Sequence, residues 1–361
     1  MNTTFEPNFA VPPGETLAET LETLGMTQAE LAERMGRPLK TINEIVAGKA
    51  MITADTALQL QKVLGVPASF WTNHERIYRD ALARRREVNE LGRQLDWLKT
   101  MPVKELVRIG WIPAVAEPVG QLRTVLSFFG VAGVEEWRSL WQSPGGVFRQ
   151  SPAFAANPGA TAAWLRKGEI EGQRVQCAPF NAAGFNEGLW QLRTLTSKEP
   201  AEFGPALREQ CARAGVAVVF IPPLSGVRAY GVARWLHSTK ALIQLSLRGK
   251  TDDHLWFTFF HEAGHVLRHG KRGVFVEEGD GETTPRDPRE AEADVFAREW
   301  LIPSRDYERF CANGDFSIEA IRRFAGRIGI APGIAVGRLQ HDRKVPFSRA
   351  NQLKRQLDFA D

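Results

Sequence analysis

Residues 253–270 read Asp253-His254-Leu255-Trp256-Phe257-Thr258-Phe259-Phe260-His261-Glu262-Ala263-Gly264-His265-Val266-Leu267-Arg268-His269-Gly270. The run predicts a helix from about Asp253 to His269, ended by Gly270. Residues four apart on a helix share a face, with Cβ atoms about 5–6 Å apart. His261 and His265 therefore present two imidazoles to one metal ion. Glu262 lies about 100° further round, where its carboxylate reaches a water on the ion and not the ion itself. Zinc lowers the pKa of such a water toward ~7, and a carboxylate base then delivers hydroxide to a carbonyl. The flanks Leu255, Trp256, Phe257, Phe259, Phe260, Val266 and Leu267 are apolar, so the helix reads as buried on most sides. Two histidines and a glutamate inside such a helix are costly unless they are satisfied. The bland alternative is a polar, solvent-facing stripe on an amphipathic helix.

A zinc site needs a third protein ligand, and a second helix, from about Asp287 to Leu301 and stopped by Pro303, offers Glu290 and Asp294 four apart. We expect Glu290 as the ligand and Asp294 as acceptor for a ligand imidazole, holding its tautomer. Glu292 is the alternative ligand, about 200° round from Glu290. His269 continues the His261/His265 face by one turn and reads as a surface or loop contact. His254 could line the cleft. Tyr230 and His237 are candidate donors to a developing oxyanion, although a strand tyrosine is more often packing.

Upstream, Val216–Ile221 is a β-rich run stopped by Pro222-Pro223, and Val227–Leu236 and Ala241–Leu247 read as further strands. Glu277–Thr284, rich in Gly and Glu, reads as a loop, and helices near 317–328 and 331–341 follow. The expected organisation is multidomain, with an all-α part at 1–86, a helical middle region at 87–165 and an α+β domain at 166–361. Trp97, Trp111, Trp137, Trp141 and Trp164 of the middle region and its border read as core. The 361 residues include 43% hydrophobic and 24% charged side chains, which excludes a mostly disordered or fibrous chain. The polar start Met1–Pro13 is no signal peptide, and no apolar run approaches the ~18–20 residues of a membrane span. Three scattered cysteines make no disulfide framework, so a reducing cytoplasm is expected. The net charge of +4 permits a nucleic-acid partner without arguing for one.

Residues 26–48 carry Leu31, Met35, Ile42 and Ile45 at helical spacing around the turn Met35-Gly36-Arg37-Pro38. This is a helix-turn-helix pattern, whose second helix, about 38–47, would enter a major groove of double-stranded DNA. Lys40, Thr41 and Asn43 sit where base edges are read. Gln28 and Lys49 suit phosphate contacts. The alternative is a generic small helical bundle; its apolar residues, Trp71 included, read as core either way.

Two resemblances narrow these readings. The HExxH run, Glu290-Ala291-Glu292-Ala293-Asp294-Val295-Phe296-Ala297 and Leu301-Ile302-Pro303 resemble the ImmA/IrrE family of bacterial zinc metallopeptidases over roughly residues 180–345. The resemblance implies a gluzincin-like domain with Glu290 as third zinc ligand and, as substrate, a cognate regulatory protein. Ala263 stands where Leu is commoner and Asp294 where Asn is common. Thr27-Gln28, Leu31-Ala32, Gly48-Lys49, Ile52-Thr53, Ala57-Leu58, Leu64-Gly65 and Ser69-Phe70-Trp71 resemble a Cro/C1-type domain of the HigA antitoxin kind over about residues 10–85. Such domains bind operators as homodimers and repress their own operon; here Arg37–Leu39 replaces the usual Val-Ser start of the recognition helix. Together they imply a cytoplasmic DNA-binding regulator carrying a zinc endopeptidase that cuts a regulatory protein, in trans or in cis. The rival is an antitoxin-like autorepressor whose peptidase fold is a non-catalytic sensor or docking platform. A third reading is a peptidase whose helical bundle binds protein.

Overall fold

In the N-terminal part the helical periodicity closes into α1 (Pro13–Thr23), α2 (Gln28–Met35), α3 (Leu39–Val46), α4 (Ala54–Leu64) and α5 (Ala68–Gly92). The computed structural model describes residues 11–142, 157–270, 275–278 and 288–358. Thr27 starts α2 with a reciprocal cap: its hydroxyl accepts from the Glu30 N–H at 3.2 Å and the Glu30 carboxylate accepts from its own N–H at 2.8 Å. Gly36 ends α2 at φ +63°, a left-handed position that a glycine adopts without strain. Leu17, Leu31, Ile42, Ile45, Leu60 and Trp71 interlock as the core of this unit. α1 and α3 approach so closely that a Cβ on Gly14 would meet the Ile45 carbonyl oxygen.

The described residues divide into two units, one running to Asp96 and including Glu117–Val119, the other holding Trp97–Ala116 and everything from Gly120 onward. The second begins with α6 (Val103–Arg108), α7 (Pro118–Phe129, which starts in the first unit), α8 (Val134–Gln142), α9 (Pro158–Arg174), α10 (Ala182–Thr194) and α11 (Pro200–Arg213). Trp97, Trp137, Trp141 and Trp164 are buried here and Trp111 is half-buried. The first three meet Phe129 edge-on, and the Trp164 indole donates to the Ile221 carbonyl at 3.1 Å. These helices thus belong to the same unit as the sheet.

β1 (Val216–Phe220), β2 (Ala229–His237), β3 (Lys240–Leu245) and β4 (Phe275–Glu278) form a sheet of order β1-β3-β2-β4, with β1 and β3 parallel and the other pairs antiparallel. β4 was not expected. Val276 pairs with Val232 and Glu277 with Gly231, so two residues of the expected loop are strand, and 279–284 lie outside the described residues. Four residues are too few to show a period of their own, and pairing with β2 makes the strand. α12 (Asp252–Arg268) is buried along its length, with Trp256, Phe259, Phe260 and Ala263 fully enclosed. α13 (Pro288–Leu301), α14 (Ser304–Ala312), α15 (Ile318–Ile328) and α16 (Pro332–His341) complete the unit. α12 packs against β2, α13 and α16. Gly264 lets α13 in closely, since a Cβ there would lie 3.1 Å from the Phe296 ring.

The start of α12 is tied down by buried acids. Asp252, 1% exposed, accepts from the Arg355 and Asp253 N–H groups at 3.0 Å each. Asp253 pairs with Lys354 at 2.7 Å. Gly333 and Gly337 of α16 make room, since a Cβ on either would come within 2.4 Å of these carboxylates. Burial pushes the Asp252 carboxyl up to about 6; the Arg355 N–H opposes this and the Asp253 charge adds to it. The folded pKa lies above the unfolded one, so this group's contribution is full below about pH 4 and is lost as pH rises through about 6. Asp252→Asn keeps an oxygen acceptor and removes the charge. We expect it to be more stable than the unsubstituted protein by about 1–3 kcal/mol at pH 7.5, with the gap closing at pH 4.5. Urea unfolding of both proteins at the two pH values checks this, and a gap independent of pH would refute it.

Candidate functional site

α12 places His261 and His265 one turn apart, and α13 lies across them. Both histidines are buried, at 2% and 1% exposure, and Glu262 between them is fully buried. His261 Nε2 lies 3.1 Å from Glu290 Oε2 and 3.0 Å from His265 Nε2. His265 Nε2 lies 3.5 Å from Glu290 Oε1. Ligand atoms about 2.0–2.2 Å from a tetrahedral zinc stand about 3.3–3.5 Å from one another, so these separations fit one ion.

The hydrogen bonds behind these side chains set the tautomers. Asp294 Oδ1 accepts a hydrogen bond from His261 Nδ1–H at 3.0 Å. His265 Nδ1 faces His269 Nδ1 at 2.8 Å, and His269 Nε2 faces Glu292 Oε2 at 3.0 Å. A carboxylate has no proton to give, so His269 donates through Nε2 and accepts at Nδ1 from His265. Both His261 and His265 then turn an Nε2 lone pair toward the Glu290 carboxylate. That is a donor set for a cation, and His261, His265 and Glu290 form a possible metal cluster with ligand atoms within 4.8 Å of one another. Burial works against ionisation of Glu290, but with protons in place of a cation the Nε2–H groups of His261 and His265 outweigh it and hold the carboxyl down at about 2. Burial pushes His265 down, toward the neutral form that binds metal.

The expected residues thus fall in different places. His261, His265, Glu290 and Asp294 converge. Glu292 points away to an exposed position against His269. His269 has a side chain only 4% exposed and extends the network, although its spacing alone reads as a surface or loop contact. His254 is exposed and stacks on Tyr230 at 5.7 Å. His237 ends β2, about 20 Å along the strand from Gly231, bonded to Thr239. One functional position was missed. Gly231 on β2 faces Glu262, and a Cβ there would come 2.9 Å from Glu262 Oε1. A glycine inside a strand is the signal that could have found it, since it marks close approach of another group.

In the first unit, Lys40 and Asn43 are exposed on α3, and Thr41 is half-buried beside them. Lys40 meets Glu44 at 3.8 Å, with both side chains exposed; such a pair is worth little and leaves the lysine available. Gln28 opens α2, half-buried. Lys49 is exposed after Gly48, whose φ is +69°. The outer face of α3 thus presents Lys40 and Asn43, with Lys49 in the turn after it and Gln28 at the start of α2. Pro38 caps α3 from outside the helix, one position earlier than its expected place inside.

Residues 17–71 match the family described as helix-turn-helix, and residues 211–340 match the IrrE N-terminal-like domain, a peptidase family. The chain carries both domains. Virulence-associated protein I of Dichelobacter nodosus is 40% identical over 70 residues, 19% of this chain; the chain spans 65% of that relative's length. An addiction module antidote protein of a HigA family from Coxiella burnetii is 34% identical, covering 23% of this chain and 92% of that one at a TM-score of 0.22. A putative antidote protein of a plasmid maintenance system from Nostoc punctiforme is 31% identical, covering 23% and 91% at a TM-score of 0.23. No helix among the described residues is long and apolar enough to cross a membrane.

Proposed function

We propose that the protein is a DNA-binding transcriptional regulator whose second unit is a zinc-dependent endopeptidase that cleaves a regulatory protein, in trans or within its own chain. The observation that carries this is the meeting of His261, His265 and Glu290 beside a buried Glu262. His261, His265 and Glu290 would hold the zinc, which would supply Lewis-acid activation of water and of the scissile carbonyl. Glu262 takes the proton of the attacking water and returns it to the leaving amine. Gly231 leaves its carboxylate room to do so. Asp294 and the His269–Glu292 pair keep the imidazoles in their ligating tautomers.

On this reading the helix-turn-helix unit brings a homodimer to a double-stranded operator. The test is metal analysis of full-length protein purified without chelator, followed by incubation with the proteins encoded beside its own gene. We expect about one zinc per chain and one discrete cleavage. A zinc-loaded protein that cuts none of them, nor itself, would favour the rival, a non-catalytic sensor or docking domain on an autorepressor.

The DNA side has its own expected result. Lys49→Ala removes a phosphate contact, so it should weaken all duplexes alike and lower the salt slope by about 1. Asn43→Ala should relax preference at one base pair, at a loss of about 1–3 kcal/mol for the specific site only. Binding of the full chain to its own promoter and to random duplex at several salt concentrations separates the two. Identical behaviour of both variants would refute the assignment of α3 as the reading helix.

A further inference from the structure

We propose that the cleft between α12 and α13 continues past the metal cluster into a pocket that takes one apolar side chain of the peptide, with a carboxylate next to it. This rests on the peptidase reading and adds a substrate class to it. Asp253, Phe257, His261 and His265 are four apart on α12, and Glu290, Asp294, Arg298 and Ile302 repeat the interval along α13 and its end. Each set shares one face. The metal cluster occupies one end of the two facing stripes. At the other end Phe257, Leu301, Ile302 and Ile334 wall a cavity of about 130 Å³. The Phe257 ring lies 6.3 Å from the His261 ring, so the two sites share a wall.

Size and charge name the occupant. An apolar cavity of about 150 Å³ holds a benzene-sized group, so this one suits Leu, Met or Phe. One helical turn, about 5.4 Å, separates Phe257 from His261. An extended peptide advances about 3.3 Å per residue, so a residue beside the scissile bond can reach the pocket. Around the rim Arg338 is bound to Asp342 at 2.6 Å and Asp253 to Lys354 at 2.7 Å. Arg298 also lines the cavity, half-buried, and its guanidinium makes no ion pair among the described residues. A guanidinium in that position favours a carboxylate, which it can hold by two parallel hydrogen bonds.

The test uses full-length, zinc-loaded Glu262→Gln protein and fluorescein-labelled Gly/Ser decapeptides with central Ala, Leu, Phe or Lys. Each is made with or without an adjacent Glu, and as C-terminal amide or free acid. Fluorescence polarisation should show Leu bound at least about tenfold more tightly than Ala or Lys. Ile334→Ala, with Ile302→Ala as a second enlarging variant, should move the preference to Phe. Ile334→Phe should erase it. Arg298→Gln should remove only the gain from the carboxylate, and the Glu and free-acid arms tell an acidic side chain from a chain end. Equal binding of Leu, Ala and Lys, no binding, or a preference untouched in folded Ile334 variants overturns the pocket. Unsubstituted protein is incubated with the same peptides. If it cuts none while the Leu preference and the Ile334 switch persist, the peptidase reading falls and the pocket stands. If it cuts without residue preference, the pocket falls and the peptidase stands.

Discussion

Glu262→Gln protein is expected to keep its zinc and to lose peptide hydrolysis by about 10²–10⁴-fold, the range a positioned proton-transfer group supplies. The reason is division of labour on one helix. His261 and His265 direct ring nitrogens toward Glu290, while Glu262 is turned about 100° away toward Gly231. The amide of Gln is nearly the same size, so the cavity that Gly231 leaves is still filled, but an amide takes up no proton. Metal content and cleavage rate measured on one preparation check this. Loss of zinc together with activity would place Glu262 among the ligands, and unchanged hydrolysis would remove it from the chemistry. Gly231→Ala is the companion: its Cβ would stand 2.5 Å from Thr258 Cγ2 and 2.9 Å from Glu262 Oε1, so hydrolysis should fall while zinc is retained.

Glu290→Ala should weaken zinc binding far more than Glu292→Ala, with Asp294→Ala between them. Glu290 stands 3.1 Å from His261 Nε2 and 3.5 Å from His265 Nε2, so its removal takes the anion from the cluster. Asp294 acts through His261 Nδ1 at 3.0 Å, and such supporting hydrogen bonds are worth about 10–100-fold in metal affinity. Glu292 acts through His269 and so one step further off, with a side chain 63% exposed. His261→Ala and His265→Ala should abolish binding at micromolar zinc. Competition with a chelating dye ranks the five proteins, and equal loss from the two Glu changes would mean the third ligand is misplaced.

The helix that carries His261 and His265 was legible because its periodicity is local. His261 and His265 must share a face wherever that helix packs, and Glu262 must lie beside them. The turn Met35-Gly36-Arg37-Pro38 between α2 and α3 was legible for the same reason, since it is a relation among neighbours a few residues apart. The short strand β4 was not, because Phe275–Glu278 becomes a strand only through its pairing with β2. Nor was the role of His269, whose spacing continues the ligand face while its partner Glu292 comes from another helix.

The sequence by itself determined the helix-turn-helix pattern, the largely apolar helix with its two histidines and glutamate, and the pair of carboxylates four apart downstream. Each is a relation within one turn or one helix, and backbone geometry enforces it without help. Which acid meets the histidines was decided only by the tertiary structure. Gly264 lets α13 approach α12 to within contact of the Phe296 ring, and that approach sets the rotation that turns Glu290 and Asp294 inward and Glu292 outward. Gly231 opposite Glu262, and the cavity beyond Phe257, belong to the same class. They are made by residues far apart in the chain whose spacing carries no period, because close packing between elements and not the geometry of any one of them brings those atoms together.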